Sequence, residues 1–167
     1  MGCLGVHFAL TEDEVNTLKS FDNDDDLLEY FQEELEEIYF DEQPEFKAET
    51  DKSWDAMHRL LSDGDLSYKT GPEPLRLVVI GGEQMYFRDN YIMSLKTPAQ
   101  ANAIASAITV ISKEYFREHY DKMDEKKYGY PKSDEDFEYT WAYFGDIVAL
   151  YQKAAAENRY VLFTAFQ

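Results

Sequence analysis

Leu27-Leu28-Glu29-Tyr30-Phe31-Gln32-Glu33-Glu34-Leu35-Glu36-Glu37-Ile38-Tyr39 reads as one amphipathic helix. Leu27, Leu28, Phe31, Leu35 and Ile38 recur at helical spacing, while Glu29, Glu33, Glu36 and Glu37 take the other face. An acidic turn, Asp22 to Asp26, precedes it. Further back, Thr11-Glu12-Asp13-Glu14 has the form of a capping box opening a short helix with Val15 and Leu18 inside. Cys3 to Leu10 alternates as a first strand, with Leu4, Val6 and Phe8 on one face and Gly5 as its weak point. Downstream, Ser53 to Leu61 gives a third helix burying Trp54, Met57, His58 and Leu61. One strand followed by three helices does not alternate as a doubly wound parallel sheet must.

The rest of the chain agrees. Gly64 and Gly71-Pro72-Glu73-Pro74 mark loops, and Leu75 to Ile80 reads as the strongest strand, halted by Gly81-Gly82. Met85 to Leu95 gives a weaker strand or turn. Thr97-Pro98-Ala99-Gln100 starts a helix, with Thr at the cap and Pro at the first helical position, running to about Tyr120. Ser133 caps a last long helix whose seam is Phe137, Trp141, Phe144, Val148 and Tyr151. Asn158 stops it, and Tyr160 to Phe166 alternates as a terminal strand. The expectation is a single α+β domain over residues 1–167: a small mixed or antiparallel sheet with about five helices packed on one side of it.

At 167 residues with 44% hydrophobic and 16% aromatic content, the chain has enough apolar side chains for a core. A single cysteine, Cys3, excludes a disulfide framework and a cysteine-based zinc site. Sixteen basic against 34 acidic residues give a net charge of −18, which argues against a nucleic-acid or anionic-membrane binder. Met1-Gly2-Cys3-Leu4-Gly5-Val6 lacks a basic n-region and an apolar run, and Val6 stands where a myristoylation motif needs Ser or Thr. The longest uncharged run, Thr97 to Ser112, is too short to span a bilayer. A cytoplasmic location is expected.

Several segments together resemble the YfbM-like proteins, a bacterial family of unassigned function. They are Met1-Gly2-Cys3-Leu4-Gly5, Asp51 through Trp54 and His58 to Leu61, Pro74 to Gly82, Leu95-Lys96-Thr97-Pro98, Tyr115 to Asp121, and Tyr143-Phe144 through Ala154-Ala155-Ala156 to Phe163. The acidic region Asp22 to Glu49 follows no motif of that family. The resemblance implies an α+β fold and a bacterial source. Some relatives lie near secreted-toxin loci, which makes an immunity role one implication.

Few residues point to chemistry. Asp51, Asp55 and His58 at i, i+4 and i+7 would share a helical face, as a metal site or an acid–base pair requires. The competing reading makes His58 a core histidine on the Trp54–Met57–Leu61 stripe, Asp51 the helix cap and Asp55 a solvated flank. His7 alternates away from Val6 and Phe8, so it faces solvent or a covering layer. His119 suits the last turn of its helix. Gly81-Gly82 lacks the spacing of a phosphate loop and reads as a tight turn. No catalytic set, metal site or cofactor motif emerges. The 13 tyrosines exceed what such a core accommodates, so some are expected at the surface.

Charge distribution is the informative feature. From Asp22 to Asp55 there are 15 acidic residues against Lys47 and Lys52, a net −13 of the total −18. Spread evenly over about 8,500 Å², the whole charge would put fewer than about two net charges on an ~800 Å² patch. A solvated face that aids solubility is the plain reading. The sharper one is a docking surface for a basic protein, with Asp25, Asp26, Glu29, Tyr30, Glu33, Glu36, Glu37, Tyr39, Asp41 and Glu42 as candidate contacts. On that reading the chain is an immunity protein occluding the basic surface of a toxin. Two alternatives stand beside it: a small enzyme or ligand-binding domain with a pocket at Trp54, His58, Gly81 and Gly82, and phosphate mimicry toward a DNA-binding protein.

Overall fold

A computed structural model describes residues 4–86, 88 and 90–166. Met1, Gly2 and Cys3, and with them the N-terminal readings above, lie outside the described residues. The element order is β1 (Gly5–Leu10), α1 (Glu12–Lys19), α2 (Asp24–Tyr30), a π-helical turn (Phe31–Leu35), α3 (Glu36–Asp41), β2 (Lys47–Asp51) and α4 (Trp54–Leu61). Then follow β3 (Glu83–Gln84), β4 (Tyr91–Lys96), α5 (Pro98–Thr109), α6 (Lys113–Asp121), α7 (Glu125–Tyr128), α8 (Asp134–Ala156) and β5 (Tyr160–Phe166). The strands form one sheet, β2-β1-β5-β4-β3, with every neighbouring pair antiparallel. The fold is α+β with an antiparallel sheet, as expected.

Both faces of that sheet are covered, not one. Phe8, Leu10, Met93, Leu95 and Leu162 pack with Val15, Leu18, Leu27, Phe31, Leu35 and Tyr39 from α1–α3. Ala9, Ile92, Val161, Phe163 and Ala165 pack with α4, α5, α6 and α8. The uninterrupted apolar run Val161-Leu162-Phe163 is the sequence trace of a strand buried on both sides.

The caps read from sequence form. Thr11 Oγ1 accepts from the Glu14 N–H while Glu14 Oε1 accepts from the Thr11 N–H, and Thr97 with Gln100 does the same. Ser133 caps α8, and Asn158 follows that helix at φ 54°. The long helix expected from Thr97 to about Tyr120 is broken: Ser112 accepts from the Tyr115 N–H and begins α6 afresh. β2 was not anticipated, because Lys47-Ala48-Glu49-Thr50-Asp51 has only Ala48 and Thr50 facing in.

Leu75 to Ile80 is not a strand. Its first residues form a 3₁₀ turn, Leu75–Leu77, and the rest continues as turn. Buried carbonyls outside a ladder need other donors, and side chains of the sheet and α8 supply them. His7 Nε2–H and the Tyr151 hydroxyl both donate to Val78 O, at 2.8 and 2.7 Å. Ser94 Oγ donates to Val79 O at 3.2 Å, Lys96 Nζ donates to the same oxygen, and Gln84 Nε2 donates to Ile80 O at 2.9 Å. Apolar composition marked this segment as buried without fixing its period.

Gly5 has a packing reason. A Cβ there would lie 2.5 Å from Thr50 Oγ1 and 2.7 Å from Trp54 Cδ1, so glycine lets β2 and α4 close against the start of β1.

Candidate functional site

The helical run from Leu27 to Tyr39 carries a change of period. The Glu36 N–H bonds to Phe31 O, five residues back, so one extra residue enters the turn. On a regular α-helix Phe31 would share its face with Ile38, seven residues on. After the π turn the face passes to Tyr39 instead. Tyr39 is fully buried, and its hydroxyl meets Ala9 O at 3.0 Å and Glu14 Oε1 at 2.6 Å. Ile38 is 38% exposed. Tyr39 is therefore removed from the candidate contacts, and Ile38 passes from core to surface.

The remaining candidates lie along the exposed side of α2–α3, apart from Glu36, which stands beside the end of the sheet. Asp25, Asp26, Glu29, Glu33, Glu37, Asp41 and Glu42 are exposed, and Tyr30 and Glu36 are half-buried. Tyr30 packs its ring on Phe21. Among the described residues, three of the 15 acids between Asp22 and Asp55 form ion pairs: Asp25 with Arg88, Glu49 with Lys47 and Asp55 with Arg59. Asp51 accepts a hydrogen bond from the Tyr139 hydroxyl. Most of the helix carboxylates thus face water without a cation, and burial pushes the Glu36 carboxyl above its ordinary pKa. Phe40, 38% exposed, stands among them with Lys47 Nζ 4.3 Å from its ring centre. Glu34 and Glu45 share this exposure and complete the surface. The extended acidic count could have named those two; no sequence signal marked Ile38 and Phe40 as exposed.

The residues of the alternative pocket are packed against their neighbours. Trp54, His58 and Gly81 are buried, and Gly82 is half-buried. Trp54 packs on Phe163, and His58 Nε2–H donates to Ser67 O at 2.8 Å. A Cβ on Gly81 would sit 2.2 Å from Arg76 O, and one on Gly82 2.4 Å from Leu95 O, so both glycines serve close backbone approach. Described clefts lie elsewhere: one of about 670 Å³ between α6 and the start of α8, one of about 510 Å³ between β2 and α8, and one of about 340 Å³ at the end of the sheet beside α3. Asp51, Asp55 and His58 do not converge either: Asp51 is not a helix cap but ends β2 at φ 49°, and Asp55 is no solvated flank but pairs with Arg59 at 2.6 Å. Among the described residues no group of His, Cys, Asp and Glu is arranged to hold a metal ion.

The strongest pKa perturbations lie inside the molecule. Burial, with Lys96 nearby, pushes His7 down to about 3. Burial also holds Lys96 well below the ordinary amine range and lifts Tyr151 well above the phenol range. Such groups invite a catalytic reading. Here each is fully buried and hydrogen-bonded to the main-chain carbonyls of Val78 or Val79, which is a structural clamp. His58, pushed down to about 4 by burial, is likewise a neutral core group.

An antiparallel sheet between two helical layers, with an acidic helix on its outside, defines the class, and comparison defines the family. Residues 1–164 match the model of a domain of unknown function, DUF1877, and the chain belongs to that family. No curated protein matches the chain. Among solved structures, YfbM from Escherichia coli, a protein of unknown function, is similar in fold, with a TM-score of 0.61 at 17% identity over 97% of this chain and 99% of that one. Among the described residues no helix is long and apolar enough to cross a membrane.

Proposed function

We propose that this protein is a stoichiometric inhibitor: it binds a basic protein, in the manner of an immunity protein against a toxin, and covers that partner's positively charged active-site surface. One observation supports the reading above the others. The carboxylates of α2–α3 stand opposite the buried stripe, mostly without cations of their own, around the exposed Ile38 and Phe40. Unpaired like charges repel one another and gain from an incoming basic surface, while exposed apolar side chains supply area that water gives up on contact. A solubility role would need the charge but not the apolar groups within it.

The test is coexpression of the chain with the product of an adjacent reading frame. The expected result is a one-to-one complex that dissociates with added salt and restores growth where the partner alone is toxic. Absence of both complex and protection would contradict the proposal.

A further inference from the structure

α3 ends at Asp41, and the sheet runs on past it. The face that α1–α3 cover around Phe8 is left open at the start of β1, forming the cleft of about 340 Å³ beside α3. The strand register fixes its floor: Glu49 lies opposite Val6, and Val6 opposite Thr164. At the mouth, Leu4 and Phe166 are each 53% exposed. Phe40 and Tyr91 add aromatic wall, and the carboxylates of Glu36, Glu49 and Asp51 stand around the apolar surface. Glu36 comes from α3, and Glu49 and Asp51 from β2, where Glu49 pairs with Lys47 and Asp51 accepts from the Tyr139 hydroxyl.

We infer that this cleft receives an arginine side chain of the basic partner. The assignment rests on the inhibitor reading for the existence of that partner, and on the cleft itself for its chemistry. The apolar groups at the mouth, the aromatic wall and the half-buried carboxylate of Glu36 complement a long aliphatic stem ending in a planar cation. A guanidinium stacks on an aromatic face and meets a carboxylate through two N–H groups at once; an ammonium does neither as well. The volume, at the small end for ligand clefts, suits one long side chain. Glu36 is the natural counter-ion. It is half-buried, its side chain forms no ion pair or hydrogen bond among the described residues, and the burial that pushes its pKa up is offset when a cation arrives.

Two probes separate this claim from the partner reading. In the first, the full chain is titrated with n-butylguanidinium, and backbone amide NMR shifts are followed at Val6, Thr164 and Ala165. Saturable shifts confined to the cleft are expected. Glu36→Gln should weaken them by about tenfold, while Glu118→Gln on α6 should leave them unchanged. Equal shifts from neutral n-butylurea, or from n-butylammonium, or shifts spread over the whole acidic helix, would overturn the assignment. In the second, the same Glu36→Gln variant is tested against the captured partner, where about a tenfold loss is again expected. A partner complex unmoved by Glu36→Gln removes the cleft from the interface and leaves the inhibitor reading intact. Butylguanidinium binding with no protein complex supports the cleft and ends that reading.

Discussion

Gly82→Ala is expected to destabilise the protein by more than about 3 kcal/mol. Gly82 has φ +106°, where an L side chain is strained, and its Cβ would stand 2.4 Å from Leu95 O in β4. The obstacle is backbone in a sheet, which cannot turn aside as a flexible side chain can. Relief requires moving the Leu75–Gly82 segment away from the donors that hold its carbonyls, His7, Ser94, Lys96 and Tyr151. Each buried carbonyl so released costs about 1–3 kcal/mol. Gly129→Ala is the matched control: φ is +82°, but nothing lies within 4 Å of the added carbon, so the cost is the backbone term of about 1 kcal/mol. Urea midpoints of the two variants measure the difference. A Gly82→Ala protein as stable as Gly129→Ala would mean that the segment does not lie where it is described.

Between pH 7.5 and 5.0 the two buried histidines are expected to withdraw about 4 kcal/mol of stability, about 2 kcal/mol each. His7 at about 3 and His58 at about 4 lie below the ordinary histidine value near 6.5. The unfolded chain therefore takes up two protons that the folded chain refuses. The contribution is whole above about pH 6.5 and declines as the pH falls toward the folded values. Lys96, also lowered by burial, acts in the same direction. Glu36 and Asp55, whose pKa values are raised by burial, act in the opposite one, as does relief of repulsion in a chain of net charge −18. The variant His58→Gln isolates one term, since a glutamine amide can still donate toward Ser67 O. Its loss of stability over that pH range should be smaller than the wild type's by about 2 kcal/mol. Equal losses in chemical denaturation at the two pH values would show that His58 is not buried as the neutral form.

What was legible in the sequence follows from which interactions are local. Caps are short-range contacts between residues three apart, so Thr11, Thr97 and Ser133 announced their helices correctly. The alternation of Tyr160 to Phe166 survived because β5 sits between β1 and β4 and needs residues for both cores. Leu75 to Ile80 misled because its hydrophobicity reflects burial, while its backbone is satisfied by side chains that lie far off in sequence. The π turn is the sharpest case for the surface. Ile38 and Tyr39 exchange places through one hydrogen bond that skips a residue, and the distant partners of Tyr39, Ala9 and Glu14, are what the exchange satisfies. The spacing of Ser53 to Leu61 marks Trp54, Met57, His58 and Leu61 as buried, and they are, together with Ala56, Arg59 and Leu60. Gly81 and Gly82 line no described cleft beside that helix, because both are held against neighbouring backbone, Arg76 O and Leu95 O. Asp22 to Glu49 was legible as charge, and its meeting with β2 around a cleft was not, since that depends on the order of strands.

The most direct test of the account is the affinity of the partner for a chain in which Glu29, Glu33, Glu37 and Asp41 are replaced by Gln or Asn, measured by titration calorimetry at low and high salt. These side chains are exposed, so the variant should keep the wild-type fold and melting behaviour. The expected affinity is lower by about 100-fold at low salt, with a gap that narrows as salt rises. An unchanged affinity, or a gap indifferent to salt, would contradict the inhibitor reading.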